Sequence, residues 1–220
     1  MAKKIYLSPS EQPENLYAYG NTNEKVVCCE IAAYTEKALK RHGFEVITAT
    51  ANTLSARCSE SDKWGADLHV PIHTNAFNGK VSGTRMMSYN TTGEGYKACK
   101  AIFNALAPIT PGTSENISSY PGLYEIKNPK APSAYIEVDF HDVPEVAKWI
   151  IEHTKEIGEA ICKGICDYYG VTYKAETVVQ KPATGKLYRV QVGAYSVKAN
   201  AEAMLAKLKA AGFDGYIKEE

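Results

Sequence analysis

The chain has 220 residues, 45% hydrophobic and 23% charged, with 25 basic residues balanced by 25 acidic ones. That is the make-up of an ordinary globular protein with room for one full domain and a small appendage. Balanced charge argues against a protein built to bind nucleic-acid phosphates or anionic lipid, and no run approaches the roughly 18 apolar residues of a membrane span.

"MAKKIYLSPS" lacks the apolar stretch of a signal peptide, so the sequence predicts a chain made and folded in a cytosol. Within it "KKIYLSP" is a first strand stopped by proline. A polar, turn-rich loop follows over residues 9 to 23. "NEKVVCCEIAAYTEKALKRHG" then places Val27, Ile31, Ala38 and Leu39 on one helix face, with Asn23 as N-cap and Gly43 as stop. "FEVITAT" reads as a strand, "TLSARCSESDKWG" as a helix and "ADLHVPIH" as a buried strand. "GTRMMSYN" is a further strand and "GYKACKAIFNALA" a helix ended by Pro108.

The stretch from Pro108 to Pro132 is irregular, with a short strand expected at "GLYEIK". "SAYIEVDF" is another strand. "VPEVAKWIIEHTKEIGEAICKGICDYYG" reads as one long amphipathic helix with proline in its first turn and glycine at its end. Strands alternating with helices predict an α/β domain: a mixed, mainly parallel twisted sheet flanked by helices, with functional groups at the strand ends.

The character changes after Tyr169. Residues 1–171 form the expected main domain, 172–186 a linker of mixed Lys, Thr, Pro and Gly, and 187–220 a small βαβ module. In that module "LYRVQVGAY" and "FDGYIKE" are strands around the helix "VKANAEAMLAKLKAAG". A unit this small is too slight to be comfortable alone.

Six cysteines (28, 29, 58, 99, 162 and 166) show no C-x-x-C pair. Cys162 and Cys166 share a helix face at i, i+4, where they could contribute to a metal site. The simpler reading is reduced, partly buried thiols acting as small hydrophobes.

Three residues carry candidate chemistry. His73 closes an apolar strand at "PIHTNA". His69 lies four residues earlier, about 13 Å away along a strand, too far to share one ion with His73. Glu24 opens the first long helix, where a carboxylate suits the helix dipole but also faces the strand ends. Glu137 lies inside the apolar strand "AYIEVDF", a costly place for an unpaired carboxylate.

The N-terminal strand and loop, the "NE" opening the helix, "DLHVPIHTNA" and "SAYIEVDF" together resemble, in order, the zinc-dependent N-acetylmuramoyl-L-alanine amidases of the amidase-3 family. The resemblance covers roughly residues 3 to 170. It implies a Zn2+ enzyme that cuts the amide between N-acetylmuramic acid and L-alanine in peptidoglycan. Carried over by position, Glu24 and His73 match two zinc ligands and Glu137 the catalytic glutamate.

The family's first ligand, a histidine in the loop after the first strand, is absent: no histidine precedes His42. Glu11 falls on that position without a gap and Gln12 after a one-residue shift. Glu11 is the stronger donor, whereas Gln12 leaves the site a net positive charge. "SPSEQPEN" resembles a branch found in clostridial phage lysins, which favours Gln12 and a phage endolysin released from the cytoplasm at lysis.

The tail "LYRVQVGAYSVKANAEAMLAKLKAAGFDGYIKE" resembles the first half of a SPOR domain, a module that binds septal peptidoglycan. Two such tails associating would rebuild a full sheet and make the protein a homodimer. The competing expectation, from the altered first ligand, is a non-catalytic peptidoglycan-binding protein on an amidase scaffold.

Overall fold

The computed structural model describes residues 2–176, 191–213 and 215–218. The chain divides into two compact units, Met1–Glu176 and Thr177–Glu220.

The first unit is built on a six-stranded sheet in the order β2-β1-β3-β6-β4-β5. The strands are β1 (Lys4–Pro9), β2 (Glu45–Thr48), β3 (Leu68–Asn75), β4 (Arg85–Ser88), β5 (Asn116–Ser119) and β6 (Tyr135–Phe140). β2, β1, β3 and β6 run parallel. β4 is antiparallel to β6, and the edge strand β5 runs parallel to β4. The sheet is mixed and mainly parallel, as the alternation of elements predicts.

From β1 the chain crosses through α1 (Glu24–Arg41) to β2 on one side, then through α2 (Leu54–Trp64) to β3 on the other. The carboxyl ends of β1 and β3 therefore flank a point where the winding reverses, which is where open α/β sheets form a crevice.

Strand alternation gives the sheet two different faces. Ile5, Leu7, Leu68, Val70, Ile72, Ile136 and Val138 point into one continuous apolar core with residues of α1, α3 (Glu94–Leu106) and α6 (Thr154–Tyr169). Tyr6, Ser8, His69, His73, Tyr135 and Glu137 take the alternate positions and project to the other face. α6 lies against both α1 and α3. Gly164 allows that approach, because a Cβ there would run into the Ile102 backbone.

Three local expectations change. The single helix expected over 143–170 is two, α5 (Pro144–Glu152) and α6, separated at His153 (φ −123°, ψ 20°). The His153 ring turns back to bond the Trp149 carbonyl through Nδ1 at 2.7 Å and stacks on the Trp149 ring, closing α5. "GLYEIK" contains a short helix, α4 (Tyr124–Lys127), in place of a strand. Its Glu125 is drawn under the sheet by partners distant in sequence. The stretch expected to be irregular contains β5, whose polar sequence NISS carries no strand signal and is held by its ladder to β4.

In the second unit the expected helix is present as α7 (Lys198–Ala210) and buries none of its residues. Of the two flanking strands, residues 191–195, 213 and 215–218 are described and carry no strand. Isolated short strands need neighbours to hold a ladder. Residues 187–190, 214 and 219 of those strands, and 177–186 of the expected linker, lie outside the described residues, as does residue 220.

Candidate active site

The loop between β1 and α1 is folded back on itself. Asn15 and Glu24 meet through Glu24 N–H donating to Asn15 O at 2.9 Å, and Leu16 bridges to Asn23. The Asn23 side chain accepts from Val26 N–H at 3.1 Å and starts the helix there. Glu24 thus becomes the first helical residue, set beside the end of β3.

Its carboxylate meets His73: Oε1 lies 2.8 Å from Nδ1 and accepts from Thr74 N–H at 3.4 Å. The second oxygen accepts from Asn15 Nδ2 at 2.6 Å. Both side chains are buried, Glu24 at 1% exposure and His73 at 7%.

β6 supplies the third member. Glu137 stands directly beside His73 in the parallel register. Its Oε2 is a buried oxygen without a hydrogen-bond partner. Tyr135, two residues earlier on the same face, stacks on the His73 ring with centroids 4.8 Å apart.

The three groups set one another's protonation. Burial pushes Glu137 up to about 7, opposed by the nearby His73 and reinforced by the Glu24 charge. Burial alone would also raise Glu24, but the His73 hydrogen bond and charge, with bonds from Asn15 and Ser10, hold it below its ordinary value. For His73, burial disfavours the cation, while the Glu24 hydrogen bond and the charges of Glu137 and Glu24 outweigh it and raise the ring.

Glu11 and Gln12 face different ways. Glu11 is held by two cations, Lys25 at 2.6 Å and the buried Arg57 at 3.0 Å. The Gln12 amide oxygen accepts from Asn15 Nδ2 at 2.9 Å, the same nitrogen that donates to Glu24. Gln12 therefore belongs to the chain of contacts that ends on Glu24 and His73.

Sequence reasoning missed the supports. Arg57 Nη1 donates to Ser8 Oγ at 3.1 Å and to Pro9 O at 2.5 Å, fixing the strand end from which the loop departs. Glu125 accepts from Ser8 Oγ at 2.5 Å and contacts His69 Nε2 at 3.1 Å. His69 is thus occupied apart from His73, as the strand spacing requires. On the other side Tyr17, Thr74 and His141 form a chain with 2.9 Å links. Only Glu125 left a signal, a carboxylate among apolar residues of a short run.

Two surface cavities, of 290 and 480 Å³, are lined by residues such as Tyr89, Tyr96 and Ser133, and Phe103, Thr110 and Glu115. Neither is lined by Glu24, His73 or Glu137.

A buried imidazole and carboxylate in hydrogen-bond contact, with an unpartnered carboxylate oxygen beside them, form a polar cluster at one end of an α/β sheet. Residues 11–167 match the amidase-3 family, N-acetylmuramoyl-L-alanine amidase, and the chain belongs to that family. Family membership gives it the activity: hydrolysis of peptidoglycan between N-acetylmuramic acid and L-alanine. Residues 170–219 match the SPOR domain, so that match begins upstream of residue 187.

The sporulation-specific N-acetylmuramoyl-L-alanine amidase of Bacillus subtilis (strain 168) is 22% identical over 221 residues, covering 97% of this chain and 84% of that protein. The germination-specific N-acetylmuramoyl-L-alanine amidase of the same organism is 27% identical over 189 residues, covering 76% and 80%. Among solved structures, the catalytic domain of CwlV, an N-acetylmuramoyl-L-alanine amidase from Bacillus (Paenibacillus) polymyxa var. colistinus, superposes with a TM-score of 0.69 at 18% identity. That match covers 77% of this chain and 99% of that one.

The donors fit the zinc ion that the family resemblance implies. Glu24 and His73 face each other across a proton that a cation would replace. The Gln12 amide oxygen is one residue away through Asn15. One carboxylate, one imidazole and one amide leave a divalent ion half neutralised.

Proposed function

We propose that the amidase reaction of this chain depends on Zn2+ held by Gln12, Glu24 and His73, with Glu137 as its acid–base residue. The observation that carries this reading is the meeting of Glu24 and His73 at 2.8 Å, with Glu137 next to His73 in register.

When bound, zinc acidifies water to a pKa of about 7 and polarises the scissile carbonyl. The protein does the rest. Glu24 and His73 are fixed by Asn15 and Thr74 on one side and by the Tyr135 ring on the other. Glu137, with one carboxylate oxygen free and its pKa near 7, is poised to take a proton from the attacking water and return it to the departing alanine nitrogen. Asn15 keeps the Gln12 oxygen and the Glu24 carboxylate on the same side of the crevice.

Peptidoglycan is the partner of both regions: the glycan and stem peptide at the strand-end crevice, and wall glycan at the SPOR region. Association of two SPOR regions would give a homodimer, which sedimentation of the full chain against a variant ending at residue 176 tests. The setting we infer is an endolysin, on the resemblance carried by "SPSEQPEN". Lysis of cells expressing the chain only after their membrane is opened would support it. Lysis without opening would sink it.

The central test is digestion of purified cell walls with the full chain, with and without chelator, reading new ends by mass spectrometry and zinc by elemental analysis. At least one zinc per chain and chelator-sensitive release of peptides beginning at free L-alanine is the expected result. Unchanged release from metal-free protein would overturn the zinc assignment.

A further inference from the structure

The amidase reading uses none of the cysteines. Among the described residues, one trio of His, Cys, Asp or Glu donor atoms lies within 4.8 Å of one another: His42, Cys162 and Cys166. It sits on the apolar side of the sheet, where the C-cap of α1 meets α6. Both cysteines are fully buried and His42 is half-buried.

Two of the three donor distances are close to those of a metal cage, and the third pair, Cys166 and His42, lies within 4.8 Å. The two Sγ atoms are 4.0 Å apart and Cys162 Sγ is 3.5 Å from His42 Nδ1. A tetrahedral zinc with Zn–S of about 2.3 Å and Zn–N of about 2.0 Å holds its sulphurs about 3.8 Å apart and sulphur and nitrogen about 3.5 Å apart. Two i, i+4 cysteines on one helix supply the first pair, and the end of a second helix supplies the third donor.

We propose that His42, Cys162 and Cys166 bind a thiophilic divalent ion of the zinc and cadmium class, at a site separate from the amidase centre. Two thiolates and a neutral imidazole neutralise such an ion, as an apolar surround requires. Binding releases the two thiol protons to solvent. The fourth position is left to water.

The imidazole must also change tautomer. Without metal its Nδ1 faces the Ala38 carbonyl at 2.8 Å and so carries the proton, while Nε2 accepts from Lys174 N–H at 2.9 Å. Ligation through Nδ1 breaks its bond to the Ala38 carbonyl, turns the ring toward the sulphurs and moves the proton to Nε2, which then opposes the Lys174 N–H. The stretch 171–176 must shift, and its Tyr173 ring, stacked on His42 at 5.1 Å, shifts with it. Metal loading is therefore coupled to release of this stretch from α1.

The test is titration of the reduced, chelator-stripped full chain with Cd2+, reading the ultraviolet thiolate-to-cadmium band, with X-ray absorption on the loaded wild-type protein. One band-forming equivalent with two sulphur neighbours is expected. Glu24→Gln should leave the band intact, because none of the donors assigned to the amidase centre, Gln12, Glu24 and His73, is a sulphur, and His42→Gln should weaken binding tenfold or more. Faster hydrogen exchange of the Lys174 amide on loading is expected from the tautomer change. Absence of the band or of the two-sulphur shell in wild type overturns the proposal without any variant. So does a band that survives in the Cys162→Ala/Cys166→Ala double variant.

Discussion

Glu24 and His73 are 49 residues apart in the chain and 2.8 Å apart in the fold, joined by one proton. The contact is made by a helix start and a strand end, both rigid. Its loss is expected to be specific. Glu24→Gln removes the charge that raises His73 and one of two anionic or imidazole donors. Zinc content, measured in a Cys162→Ala/Cys166→Ala background so that only this centre is counted, should fall well below one per chain, with activity on cell walls down at least a hundredfold. Retained zinc with full activity would show that this pair is not the metal centre.

Glu137→Gln separates chemistry from metal binding. The substitution keeps the shape of the side chain and leaves Glu24 and His73 in place. Loss of a general acid–base group costs about 10²- to 10⁴-fold in rate. The expected outcome is a fall in kcat of that order with zinc content unchanged, measured by release of L-alanine termini. A variant that loses its zinc as well would place Glu137 among the ligands.

The two loop residues give opposite expectations. Gln12→Ala takes away an oxygen on the Asn15–Glu24 side, so chelator should strip zinc from this variant at a lower concentration than from wild type. Glu11→Ala removes the partner of Lys25 and the buried Arg57 and leaves that guanidinium short of a counter-charge. It should lower the unfolding midpoint while zinc affinity stays near wild type. The reverse pattern would move the ligand to Glu11.

Much of this centre was legible because its residues stand where physical chemistry makes them expensive. A carboxylate within "AYIEVDF" and an imidazole closing "LHVPIH" need partners, and Asn23 marks the helix start that delivers Glu24. The strands β1, β3 and β6 and the helix α1 follow from period and caps. What stayed hidden depends on residues far apart in sequence. The pairing of Glu11 with Lys25 and Arg57, which come from the two helices α1 and α2, leaves no trace in the loop's own sequence. α4 forms under the pull of Ser8 and His69 on Glu125, and the break between α5 and α6 rests on a His153–Trp149 contact no periodicity announces. The trio His42, Cys162 and Cys166 likewise spans two helices, so only its cysteine half shows in the sequence.

Glu125 gives a pH-dependent prediction on stability. Burial pushes its carboxyl up, but the hydrogen bond and charge of His69 and the hydrogen bond from Ser8 outweigh burial and hold it below its ordinary value. A carboxylate depressed in the folded state adds stability that is present above its unfolded pKa and is lost as pH falls through the folded value. Glu125→Gln keeps the shape but not the charge. It should cost on the order of 1–3 kcal/mol at neutral pH, the range for leaving buried partners poorly satisfied. The gap between wild type and variant should close in acid, below the ordinary carboxylate range. Urea unfolding of both proteins from pH 3 to 7, in the presence of chelator, measures it. A gap that stays constant across that range would mean that Glu125 is already protonated in the folded protein and that shape alone sets its contribution.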